Sequence, residues 1–218
     1  MNAWLLTGVG LNLSAAIMII AWIVARKVNN AGILETARPI ILLFLVIAYA
    51  VLGEGIMERR LFLALLVLIA STKDLVQALR VIRKLHPTEL PSYQLLRQKF
   101  PQRPWLMFFG YYQIQGVLTA LLTIPLALIC SNTDKALSLW EIAGLVLWVA
   151  ALVVGFRKPT TSSPALQGEN PEIPATTVAH DHIPFPWLTW ISYCLMAVAA
   201  PGGIWGIISL LLICFLLR

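Results

Sequence analysis

Long runs of apolar residues alternate with short polar segments along most of this chain. The run Trp105–Cys130 contains 26 residues and no charged side chain, and about 20 apolar residues are enough for a helix to cross a bilayer. The whole pattern predicts seven apolar helical segments, at about residues 4–25, 39–52, 61–82, 105–130, 139–156, 187–200 and 204–217. A polar loop, rich in proline, serine and threonine, is expected at 157–186.

The sequence therefore predicts an all-α protein, a polytopic membrane helix bundle of six to seven spans that forms a single membrane domain over residues 1–218. The number of spans depends on residues 187–217, where Pro201-Gly202-Gly203 interrupts the apolar run. Proline and glycine there predict two short helices or one strongly kinked helix. Both halves are shorter than a perpendicular span needs, so two spans and a re-entrant hairpin are both open.

Composition and charge support this class of protein. The chain is 59% hydrophobic and only 12% charged, whereas soluble domains are about 25% charged. The net charge of +6 is not read as nucleic-acid binding, because the basic residues flank apolar spans and orient them in the membrane. With the N-terminus outside, 12 of the 16 lysines and arginines fall in cytoplasmic segments. The expected location is a bacterial inner membrane, with the C-terminus in the cytoplasm.

Polar side chains inside the spans are candidates for function. Tyr111, Tyr112, Gln113 and Gln115 cluster in the fourth span, and Lys73-Asp74 lies in the third. Ionisable and amide groups at membrane depth are costly unless they meet partners or water. Hydrogen bonding between helices is the structural alternative for the glutamines, and snorkelling or pairing is the alternative for Lys73.

Metal or disulfide chemistry is not indicated. Cys130, Cys194 and Cys214 lie in or beside apolar segments without a CxxC pair, which is typical of small core residues. His180-Asp181-His182 lacks a third ligand at suitable spacing, so no metal site is predicted. Nucleotide-binding and hydrolase motifs such as GxGxxG and GxSxG are also missing.

Three segments together resemble a known family. Arg83–Arg97 carries an arginine, a glutamate, a tyrosine and an arginine in the family's order. Gln115-Gly116 followed by Pro125 is similar to its glutamine-led fourth span, and Gly144–Phe156 to its glycine–tryptophan fifth span. Asn30–Arg38 matches more weakly, with Glu35 where an aspartate is usual. The chain thus resembles bacterial membrane proteins related to the steroid 5-alpha-reductases, the 3-oxo-5-alpha-steroid 4-dehydrogenase superfamily.

The resemblance implies an NADPH-dependent reductase that acts on a carbon–carbon double bond conjugated to a ketone in a lipid-like substrate. Hydride would reach the β carbon while an acid polarises the carbonyl, in a dry pocket that stabilises the enolate oxygen. It assigns no catalytic residue here. The cofactor-binding residues that it implies are Arg83, Glu89, Tyr93, Arg97, Gln115 and His180.

Departures from the family's pattern leave a second interpretation open. The acidic group that ends the fifth span is replaced by Val154–Lys158, and the run 179–187 lacks the asparagine and tyrosine that hold the nicotinamide cofactor. These losses weaken the expectation of NADPH binding and favour a non-catalytic relative that binds a lipid or a membrane protein partner. An isoprenylcysteine-type methyltransferase ranks last, because its histidine–proline run and C-terminal acidic pair are absent.

Overall fold

The computed structural model describes residues 1–85, 89–136, 138–157 and 184–216, and within these ranges the chain is helical with no strand. A short 3₁₀ turn, Ala31–Ile33, precedes the second helix. The helices are α1 Ala3–Val28, α2 Leu34–Leu52, α3 Met57–Leu85, α4 Pro91–Lys99, α5 Pro104–Leu122, α6 Ile124–Ser131, α7 Leu139–Arg157, α8 Pro184–Val198 and α9 Ile204–Leu216.

Four stretches of the described chain are helical, long and apolar enough to cross a membrane: Ala3–Val28, Ala31–Leu52, Met57–Arg83 and Pro104–Ser131. Leu139–Val154 and Leu188–Val198 are apolar but shorter. The predicted class, an all-helical membrane protein, is therefore confirmed. The count of six to seven spans stays a prediction.

The first two helices begin and end with local signals in the sequence. The Asn2 side chain caps α1 by accepting a hydrogen bond from the Leu5 amide at 3.0 Å. Asn29 ends the helix in the left-handed conformation, with φ of 56°. The next helix begins at Leu34, five residues before the expected start at Pro39. Pro39 lies near the beginning of α2, where it removes one helical hydrogen bond without ending the helix.

The fourth apolar run forms two helices instead of one. The break falls at Thr123, two residues before Pro125, which has no amide hydrogen to donate to the helix. The Thr123 hydroxyl donates to the Ala120 carbonyl at 2.7 Å. Its oxygen then accepts a hydrogen bond from the Tyr49 hydroxyl at 3.0 Å, which ties the break to α2.

Glycines allow two pairs of helices to pack closely. A Cβ atom at Gly116 would lie 2.9 Å from Met18 Cγ of α1, and one at Gly144 would lie 2.7 Å from the Ser192 carbonyl of α8. Small residues at such contacts let helix backbones approach each other. Helix α5 therefore packs against α1, and α7 packs against α8.

The apolar run 187–217 contains two helices joined by a turn, not one kinked helix. Gly202 adopts φ of 79° in the turn between α8 and α9. Gly203 contacts the Ala197 carbonyl, and Cys194 Sγ lies 3.4 Å from the Gly206 carbonyl. Cys130 and Cys194 are buried, as expected for core residues; the side chain of Cys214 lies outside the described set.

The bundle has two chemically different ends. At one, here called the capped end, the Met1 ammonium contacts Glu54 at 2.8 Å, and the Gly55 amide donates to the Cys130 carbonyl. At the other, here called the basic end, Trp22 Nε1 of α1 donates to the Trp105 carbonyl of α5 at 2.9 Å. The basic end comprises the last turn of α1, the beginning of α2, the end of α3, α4 and the beginning of α5.

Candidate functional site at the basic end

A short helix, α4, builds the site at the basic end, between the third and fourth apolar runs of the sequence. Helix α4 begins at Pro91, a residue that suits the first position of a helix because the amide hydrogen it lacks has no helical partner there. Tyr93 and Arg97 are four residues apart on this helix, so their side chains share one face. That face packs against the beginnings of α2 and α5.

Glu89 connects α4 to the turn before α2. Its carboxylate accepts two hydrogen bonds from Arg97, at 3.1 Å from Nε and 2.6 Å from Nη2. It also accepts the Ala31 amide at 2.8 Å. With three donors and a side chain only 9% exposed, Glu89 holds the segment before α2 against α4.

Tyr93 is buried and paired with a carboxylate. Its hydroxyl donates to Glu35 Oε1 at 2.7 Å, and the residue is 3% exposed. Burial raises the pKa of the Tyr93 phenol well above its usual range, and the nearby Glu35 carboxylate raises that pKa further. The phenol therefore keeps its proton at neutral pH. On the other side of Glu35, Arg38 Nη1 lies 3.6 Å from Oε2.

Aromatic rings close the site towards α5. The Arg97 guanidinium lies 4.9 Å from the centre of the Trp105 ring and 5.4 Å from that of Phe108. These distances are within the range of cation–π attraction. The Tyr93 ring lies 6.3 Å from both Phe108 and Tyr111. Arg97 is thus bound by a carboxylate and covered by rings.

The polar cluster of the fourth apolar run points in several directions. The Tyr112 hydroxyl is fully buried and donates to the Ala31 carbonyl at 2.8 Å, so it reinforces the same junction as Glu89. Gln113 Nε2 is buried without a hydrogen-bond partner among the described residues. Gln115 is half-buried, and the described residues offer its side chain no hydrogen bond. Gln113 is therefore the member of the cluster whose buried side chain the described residues leave without a hydrogen bond.

The structure brings together three of the six residues implied by the resemblance, namely Glu89, Tyr93 and Arg97. Arg83 is exposed near the end of α3 and has no ion pair within the described residues. Gln115 lies further along α5, and His180 lies outside the described residues, as do the histidines at 86 and 182.

Glu35 lies in the more weakly matching segment, Asn30–Arg38, and is not among the cofactor-binding residues that the resemblance implies. Only the tertiary contact with Tyr93, 58 residues away in sequence, shows its importance. Elsewhere, Lys73 Nζ lies 3.6 Å from Asp74 Oδ1. Within the described chain no group of three His, Cys, Asp or Glu side chains is arranged to hold a metal ion.

Fold and site together define an integral membrane helix bundle in which a buried tyrosine is paired with a partly exposed glutamate beside an arginine-rich end. A family model described as "Protein of unknown function (DUF1295)" matches residues 21–157, which is more than half of the chain. The chain belongs to this family. No curated protein and no solved structure matches it. The matched region includes both segments that meet at the site, Asn30–Arg38 and Arg83–Arg97.

Proposed function

We propose that this chain is a divergent membrane reductase of the steroid 5-alpha-reductase type, which uses NADPH to reduce an enone in a lipid-like substrate. One observation carries the proposal. The segments Asn30–Arg38 and Arg83–Arg97, which resemble the reductases independently, are joined through Glu89 to Ala31 and Tyr93 to Glu35. The bias of lysine and arginine towards this end supports a cytoplasmic position for it, with the N-terminus outside a bacterial inner membrane, as part of the proposal.

The Tyr93–Glu35 pair supplies the hydrogen-bond donor that this reaction needs. Bound NADPH would provide the hydride that adds to the β carbon of the enone. Negative charge then develops on the carbonyl oxygen, and a preorganised donor lowers the barrier by stabilising it. Tyr93 keeps its proton because burial and Glu35 raise its pKa. In the proposed reaction the substrate oxygen accepts the hydrogen bond that Glu35 accepts in the free protein.

Arginines near the pair suit the phosphates of the cofactor. Arg38 Nε is buried without a hydrogen-bond partner in the described chain, and Arg83 is exposed at the same end. A guanidinium with unused donors is well suited to phosphate. Arg97 has a different part, because Glu89 and the Trp105 ring already engage it. It positions α4, and thereby Tyr93, for the reaction.

NADPH titration of the detergent-purified protein tests the proposal, with thermal stability or intrinsic tryptophan fluorescence as the readout. Saturable binding is expected, and the Arg38→Gln/Arg83→Gln variant should bind at least about tenfold more weakly if two phosphate contacts are lost. Arg97→Ala should also weaken binding, because α4 loses its anchor. Lys135→Gln removes an exposed charge at the capped end and serves as the control. The absence of saturable binding up to millimolar NADPH would exclude the reductase function.

A second candidate function is a non-catalytic relative that binds a lipid or a membrane protein partner. The observation that favours it is the bidentate pairing of Glu89 with Arg97, which engages with each other two of the residues that the resemblance implies for the cofactor. This candidate expects no NADPH binding. If it is correct, lipid-like enones should stabilise the protein equally with and without NADPH. Consumption of an enone only when NADPH is present would exclude this second function.

A further inference from the structure

Exposed cations surround the junction of α1 and α5 at the basic end. Arg26 and Lys27 lie in the last turn of α1, Arg103 lies immediately before α5, and all three are exposed. The two acidic residues that the structure describes at this end, Glu35 and Glu89, are paired with arginines of the site. The positive charge at the junction is therefore not neutralised by a neighbouring acidic side chain of the described chain.

Tryptophan side chains give this junction a fixed shape. Trp22 Nε1 donates to the Trp105 carbonyl at 2.9 Å, and the Trp22 ring meets Phe109 edge to face, with centroids 5.2 Å apart. The Arg26 guanidinium lies 5.6 Å from the centre of the Trp22 ring. Tryptophans of this kind are enriched at the level of lipid headgroups. Arg26 is thus held at the depth where a headgroup phosphate lies.

Apolar side chains are exposed immediately next to these cations. Ile23 and Val24 on α1 are 42% exposed, and Leu106 on α5 is 61% exposed. An inorganic anion or a nucleotide would use the cations and leave this apolar surface bare. A ligand that satisfies both has a phosphate head and hydrocarbon chains. Basic surfaces between transmembrane helices commonly bind such anionic headgroups.

We propose that the junction of α1 and α5 is a binding site for an anionic phospholipid, whose headgroup contacts Arg26, Lys27 and Arg103 while its acyl chains lie against Ile23 and Leu106. The site is separate from the arginines proposed for the cofactor. Its lipid is a bound ligand with a defined place on the protein, in addition to the surrounding bilayer.

The test compares phosphatidylglycerol with phosphatidylcholine of the same acyl chains, added to the full chain in detergent. Thermal unfolding reports the stability of the protein, and native mass spectrometry reports the number of lipids that it retains. Phosphatidylglycerol should bind at least about tenfold more tightly, given roughly fivefold for each basic residue near the headgroup. The Arg26→Gln/Lys27→Gln/Arg103→Gln variant should lose this preference, whereas Arg26→Lys/Arg103→Lys should retain it.

Two controls separate a defined site from general attraction between charges. Lys135→Gln removes an exposed cation at the capped end and should leave the preference unchanged. Inorganic phosphate alone should not stabilise the protein. Equal affinity for the two lipids, or an equal loss in Lys135→Gln, would overturn the proposal. If the triple variant does not fold, the wild-type chain still tests the proposal. Its preference for phosphatidylglycerol must decrease when salt is raised from about 0.05 to about 0.5 M, because salt screens the attraction between the headgroup and the basic residues.

Discussion

Replacing Glu141 by glutamine is expected to weaken the contact between α3 and α7 at the capped end. The Glu141 carboxylate contacts Arg59 Nε at 2.6 Å, and the two side chains are only 9% and 10% exposed. Arg59 also donates to the carbonyls of Asn132, Asp134 and Ala136. Glu141 accepts the Ser138 amide at 2.9 Å and so caps the start of α7. One carboxylate therefore serves both the cap and the buried ion pair.

The size of the effect follows from what remains after substitution. Breaking a buried ion pair by removing one partner costs about 3–5 kcal/mol, because the other charge stays buried. In Glu141→Gln the amide oxygen still accepts the Ser138 amide, and Arg59 keeps its carbonyl acceptors. We therefore expect a loss near the lower limit, about 3 kcal/mol. Arg59→Met should cost about as much or more, because three carbonyls lose their donor as well.

A double-mutant cycle measures the pair directly. The free energy of unfolding is measured by titrating SDS into mixed micelles, with tryptophan fluorescence as the signal, for both single variants and for Arg59→Met/Glu141→Gln. The coupling energy should be about 1–3 kcal/mol. Glu58→Gln, an exposed carboxylate near the beginning of α3, should change stability by less than about 0.5 kcal/mol. Additivity of the two substitutions within about 0.5 kcal/mol would refute the contact.

Three further predictions concern the site and the packing of the bundle. Folding raises the pKa of Tyr93, so the free energy of unfolding should fall as pH rises above about 10, where the tyrosine of the unfolded chain ionises. In Tyr93→Phe this fall in the free energy of unfolding with pH should be smaller by about 1.4 kcal/mol per pH unit. Gly144→Ala should lower the free energy of unfolding by about 1–3 kcal/mol, because the added Cβ meets the backbone of α8. Gly110→Ala is the control: a Cβ there has nothing within 4 Å, so the free energy of unfolding should be unchanged or slightly higher. Tyr49→Phe should cost about 1 kcal/mol in SDS titration by removing its hydrogen bond to Thr123; an unchanged midpoint would show that this bond adds nothing.

The helices could be predicted from the sequence because hydropathy reports the surroundings of a segment. A run such as Trp105–Cys130 is long and uncharged, and in a bilayer only a helix satisfies its backbone. The break at Thr123 was harder to foresee. Pro125 marks a weak point, but the position of the break also depends on the hydrogen bond from Tyr49, which belongs to another helix.

The candidate site could be predicted only in part. The order of Glu89, Tyr93 and Arg97 within one segment indicated a group, and the structure brings these three together. Their partners come from other elements, Glu35 from α2 and Trp105 from α5, and sequence spacing carries no information about such contacts. Nor does the sequence show that Glu141 lies beside Arg59, which is 82 residues away along the chain.

The contrast between the two ends indicates where an anionic ligand can bind. At the capped end Arg60 Nη1 donates to the carbonyls of Ala50 and Gly53, and Arg59 is held by Glu141. A ligand that recruited either arginine would have to break these buried contacts and leave carbonyls unsatisfied, which costs about 1–3 kcal/mol for each group. At the basic end Arg26 and Arg103 remain exposed, so an anion that contacts them displaces no buried partner. The arginines of the capped end therefore stabilise the fold, and the positive charge available for ligands is concentrated at the basic end.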